Sequence, residues 1–125
     1  METLALLVAG AAVLDYITGM LAAAKTGNIH SAVGVKGIYK KLALFCALAL
    51  GFLIDYSLPV LMERGFSLDI GMIMPFGGLL AAWIVLNELV SIVENLTRCG
   101  MKIPAVITKP LKIAKRRISC DEEDL

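Results

Sequence analysis

The chain has 125 residues, of which 58% are apolar and 18% charged, with a mean hydropathy of +0.80. A water-facing globule of this size is less apolar and more charged, so composition excludes a soluble domain and identifies an integral membrane protein. The formal net charge of +1 hides a strong asymmetry along the chain and by itself predicts no partner.

Residues 4–24 form the first predicted span, long enough to cross a bilayer as helix. Asp15 interrupts it at a cost of roughly 2.5–3.5 kcal/mol at mid-bilayer, so this helix is expected to insert only marginally. A cleaved signal peptide is the competing account, since Ala22, Ala23 and Ala24 suit a signal peptidase. The start Met1, Glu2, Thr3 lacks a basic n-region and opposes it. Gly27, Asn28, His30, Ser31 and Gly34 then read as a polar loop, with Gly37 preceding the second helix.

Residues 42–62 form the second span, with Lys36, Lys40 and Lys41 before it placed to reach lipid headgroups. Pro59 lies near its far end, and Glu63, Arg64 and Gly65 make a short turn. The third span covers residues 70–86 and runs on through residue 92. Asp69 is expected at its start, favourable for the helix dipole, and Pro75 as a kink in its first half. Trp83 is too far inside to anchor an interface and is expected only to pack. Gly100 and Pro104 end this helix.

Beyond it, residues 103–118 alternate apolar and basic residues around Pro110. Val106, Ile107, Leu111, Ala114 and Ile118 share one face of a short, broken surface helix, leaving Lys109, Lys112, Lys115, Arg116 and Arg117 for an anionic leaflet. A solvated basic tail that only fixes topology is the alternative. The run lacks the aromatics and the folded domain of a nucleic-acid binder. Asp121, Glu122, Glu123 and Asp124 close the chain as an acidic end expected to be disordered. The domain reading is a three-helix transmembrane region over residues 1–98 and a cytoplasmic tail over 99–125.

Charge placement sets the orientation. Eleven of the twelve Lys and Arg lie either between the first two spans or after the third, and only Arg64 falls between the second and third. Basic flanks are retained in the cytoplasm, so three crossings with the N-terminus outside and the C-terminus inside are predicted. Cys46, Cys99 and Cys120 then lie in the second span and in cytoplasmic regions, where thiols stay reduced and no disulfide framework follows.

Each span carries a small or polar stripe at helical spacing. Ala11, Asp15, Thr18, Gly19 and Ala22 share a face of the first, and Ala43, Ala47, Gly51 and Asp55 a face of the second. Gly77, Ala81, Glu88, Ser91 and Asn95 lie on one side of the third, with Asn87, Glu94 and Arg98 nearby. Membrane helices associate through small residues and polar contacts, so these stripes are expected to be contact faces, within one molecule or between copies. No basic residue lies within the predicted spans, so Asp15 and Asp55 require loss of charge, polar helix contacts or a wet lumen, while Glu94 reaches Arg98 one turn on.

An enzyme finds no support. His30 is the sole histidine, in a polar loop, and Glu88 and Glu94 are six apart and do not form an acid/base pair. No cluster has metal-ligand spacing and no Gly-rich phosphate loop follows a strand, so no cofactor is called for.

The stretch Asp15-Tyr16-Ile17-Thr18-Gly19, the run Gly34-Val35-Lys36-Gly37-Ile38-Tyr39-Lys40-Lys41, Asp55, and the run from Asn87 to Leu96 followed by Gly100 and Ile103-Pro104 resemble one family. It is the toxin-secretion/phage-lysis holin family of Gram-positive phages and clostridia, and the resemblance covers about residues 4–118. It implies a protein of the bacterial cytoplasmic membrane that oligomerises and opens lesions, releasing or activating a cell-wall hydrolase or passing a toxin. The implied partners are its own copies, lipid, and an endolysin or exported toxin. The acidic end departs from the basic ends common in that family. Assembly or pore roles for Asp15, Gly19, Gly51, Asp55, Asn87, Glu88, Glu94 and Asn95 come from the helix faces alone. A small ion channel or proton-coupled transporter, and a membrane-anchored adaptor, are the competing functions.

Overall fold

The computed structural model describes residues 2–29, 31–66 and 75–123, with side chains except those of Val33 and residues 118–123. The described residues form four helices: α1 (Glu2–Lys25), α2 (Ser31–Glu63), α3 (Phe76–Arg98) and α4 (Ala105–Glu123). At 1.5 Å per residue the first three are about 36, 50 and 35 Å long, each sufficient for a hydrocarbon core of about 30 Å. All three are apolar enough to cross a membrane, and only 11% of the apolar window of α2 is buried inside the molecule. Leu6, Leu7 and Val13 of α1 and Leu42, Leu50 and Leu53 of α2 stand exposed. Apolar surface on this scale needs lipid around it.

α3 is the hub, packing against α1, α2 and α4, whereas α1 and α2 barely touch. Its buried residues Gly77, Ala81, Ile84, Glu88 and Asn95 recur at steps of three, four and seven and so line one face. On α1 the buried face is Val8, Ala12, Asp15, Thr18 and Ala22. Val8, Leu48, Ala81 and Ile84 make the apolar centre, with Phe52 and Trp83 packed around it, which gives Trp83 its packing role.

α1, α2 and α3 end in the same way. Gly27, Gly65 and Gly100 have φ of 72°, 90° and 93°, a conformation that favours glycine. The next residue in each case donates its N–H to the carbonyl five back: Asn28 to Ala23, Phe66 to Leu61 and Met101 to Leu96. These bonds satisfy helix-end carbonyls that would otherwise lack partners.

Several local expectations are corrected. Ser31, Gly34 and Gly37 are not loop: α2 begins at Ser31, and a methyl group at Gly34 or Gly37 would meet Tyr16 of α1 at 3.5–3.6 Å. The two glycines, expected in the loop and just before the helix, lie inside α2 where it passes the Tyr16 ring, and a methyl group at either would make ordinary van der Waals contact with it. Pro75 does not kink α3 but precedes it, and its carbonyl accepts the N–H of Leu79 at 2.9 Å. A proline at a helix start loses no hydrogen bond. The third helix also runs past residue 92 to Arg98. Pro110 does not break the last helix, and Asp121, Glu122 and Glu123 continue it rather than being disordered. Asp69, residues 70–74 of the expected third span, His30 and Asp124 lie outside the described residues.

Candidate functional site

The three spanning helices meet at a polar cluster in which each contributes a charge. Lys41 of α2 points inward, 2.5 Å from Asp15 Oδ2 of α1, and also donates to Glu88 Oε2 of α3. This corrects two expectations: Asp15 does have a basic counter-ion within the helices, and Lys41 does not reach out to headgroups. Its sequence neighbour Lys40 is exposed. The difference arises because one residue turns a helix by about 100°, so adjacent lysines face different ways.

The cluster extends through uncharged groups. Asn95 Nδ2 donates to Asp15 Oδ1 at 3.1 Å and to Thr18 Oγ1 at 3.2 Å, while Thr18 donates to the Leu14 carbonyl at 2.9 Å. A methyl group at Gly19 would lie 3.5 Å from Asn95 Nδ2, an ordinary van der Waals contact, so Gly19 lies beside that amide. Arg98 donates to Asn95 Oδ1 rather than pairing with Glu94, which is exposed. Glu88 is fully buried, and its Oε1 has no hydrogen-bond partner among the described residues. Two carboxylates thus share one lysine, an arrangement costly to desolvate and costlier to break.

Asp55 has a separate role at the other end of the bundle. Its Oδ1 accepts the N–H of Phe76 at 2.7 Å and its Oδ2 that of Gly77 at 2.8 Å. An acid on α2 therefore caps the first turn of α3, where free N–H groups and the helix dipole favour negative charge. Close approach permits this: a methyl group at Gly51 would come within 3.0 Å of Gly77 Cα and 2.7 Å of Leu80 Cδ1.

The remaining predicted residues are distributed unevenly. Gly51, Gly77 and Ala81 are buried between helices, Ala11 and Ala47 are half-buried, and Ala43 is exposed. Asn87, Ser91 and Glu94 line a cleft with Glu88, Lys40 and Lys115. Lys36, Lys109, Lys112, Arg116 and Arg117 are exposed. Lys25, which the sequence did not single out, donates to the Cys99 carbonyl and ties the end of α1 to the end of α3. Among the described residues no group of three or more His, Cys, Asp or Glu could hold a metal ion.

Three apolar helices fastened by an internal ion network define a multi-pass membrane protein. The chain belongs to the bacteriophage holin family, which it matches over residues 1–116. It is 31% identical over 101 residues to a probable holin of Bacillus phage phi105, covering 81% of this chain and 66% of that one. It is also 37% identical over 103 residues to an uncharacterised protein of Halalkalibacterium halodurans (82% and 71% covered) and 34% identical over 111 residues to one of Listeria monocytogenes (89% and 71%). No solved structure matches the chain. The family permeabilises membranes and is not catalytic, and with three spanning helices the protein resides in the cytoplasmic membrane.

Proposed function

We propose that the protein assembles into a homo-oligomer with its N-terminus outside and C-terminus in the cytoplasm, and opens lesions that release or activate a cell-wall hydrolase, or pass a toxin, at lysis. The observation that carries this reading is the Asp15, Lys41 and Glu88 network. Counted as formal charges, Asp15, Glu88 and Lys41 carry one more negative than positive charge at the junction of three membrane helices, with Arg98 linked to them only through Asn95. Lipid around the monomer keeps that charge inside. An oligomer with the same faces turned to a water-filled lumen hydrates it, so assembly relieves a burial penalty that insertion imposes. Membership in the holin family supports the same reading. The basic ends of α1 and α3 lie together, joined by Lys25, which supports a single cytoplasmic side for both basic clusters.

The test is co-expression in bacteria with a muralytic enzyme that lacks its own export signal. Abrupt lysis after a delay is expected. Depolarisation without any release or activation of the enzyme overturns the large-lesion reading in favour of a small channel or transporter. For orientation, an impermeant thiol reagent should label Cys120 only after the membrane is opened, and labelling in intact cells overturns the C-inside assignment.

A further inference from the structure

α4 packs against α3, and the two line an open cleft of about 770 Å³ that meets the polar cluster only at Arg98. The cleft lies at the end of the bundle where Lys25 meets Cys99. Arg98, Lys102 and Lys112 line it with Thr108, and Glu94 is its one acid. Three cations against one carboxylate leave a local excess of two positive charges. Neither lysine has an ion-pair partner among the described side chains. The Arg98 guanidinium spends one donor on Asn95 and has four more N–H groups. Val90, Val93 and Leu111 form an apolar wall of the same cleft.

A site that is cationic on one side and apolar on the other, at the terminus of membrane-spanning helices, matches an amphiphile and not a free ion. We propose that this cleft binds an anionic glycerophospholipid of the cytoplasmic leaflet. Arg98, Lys102 and Lys112 take the headgroup phosphate, and an acyl chain lies along Val90 and Val93. The proposal rests on reading this end as the headgroup level and is independent of whether the assembled protein opens lesions.

The full chain in a mild non-ionic detergent is titrated with phosphatidylglycerol, phosphatidylcholine or inorganic phosphate, and bound adducts are counted by native mass spectrometry. Phosphatidylglycerol should bind about tenfold more tightly than phosphatidylcholine, and Lys102→Gln with Lys112→Gln should weaken it about tenfold. Lys109→Gln with Arg116→Gln removes the same charge from exposed positions that do not line the cleft and should change binding less than about twofold. Equal losses from the two double variants overturn the site in favour of diffuse surface charge, as does undiminished binding in the first. Inorganic phosphate that displaces the lipid at equal concentration makes this a free-anion site and overturns the lipid. Val93→Trp keeps every charge and obstructs the apolar wall, so it should reduce lipid adducts, and full retention overturns the acyl-chain contact.

Discussion

Asp15 and Asp55 are acids in neighbouring apolar helices, and the bundle accommodates them by opposite means. Asp55 is satisfied by two backbone N–H groups at the start of α3 and needs no other charge. Asp15 depends on a lysine from a second helix, and that lysine is shared with a carboxylate from a third. The Asp55 end is thus closed by a local hydrogen-bonded cap. The Lys41 end holds an unbalanced charge whose energy depends on three helices staying together.

The largest effect is expected at Lys41. Lys41→Met leaves Asp15 and Glu88 buried without a cation, a loss of about 3–5 kcal/mol, and should sharply reduce accumulation in the membrane and thermal stability in detergent. Combining it with Asp15→Asn and Glu88→Gln should recover most of that stability. A single variant as stable as wild type would show that the network does not hold the helices together.

Gly51→Leu should come next. The added side chain collides with Gly77 backbone and Leu80, so α2 must move off α3 at about 1–3 kcal/mol. Disulfide crosslinking between cysteines introduced on these two helices should fall. Unchanged crosslinking would place the contact elsewhere.

Removing the cap is expected to cost less. Asp55→Ala orphans the Phe76 and Gly77 N–H groups at about 1 kcal/mol, with Asp55→Asn milder because one acceptor oxygen remains. Faster hydrogen exchange confined to the first turn of α3 checks this. Exchange that rises equally around Lys41 would contradict the independence of the two ends. Lys40→Gln provides the smallest change, within about 0.5 kcal/mol in the same thermal assay, since this lysine is exposed. A loss comparable to that at Lys41 would mean the two side chains exchange places.

Hydropathy was sufficient to find three spans, and glycine placement the loop at Gly27, the turn at Gly65 and the helix end at Gly100, because a bilayer demands long apolar helices and a left-handed turn favours glycine. Helical spacing also showed that Asp15, Thr18 and Ala22 share one face, as do Gly77, Ala81, Glu88 and Asn95. Periodicity within one helix is a local property, so it survives in a single sequence. What lies opposite a face is not local. Nothing in the chain distinguishes Lys41 from Lys40 until α2 is known to start at Ser31 and to lie with Lys41 between α1 and α3. Asp55 reads as an unpaired membrane acid until α3 is known to begin beside it at Phe76. The sequence by itself determined that this is a helical membrane protein with polar faces to bury. Only the tertiary structure decided which charge neutralises which, because ion pairs and caps between helices depend on rotation and offset of whole elements, to which the order of residues along one helix is blind.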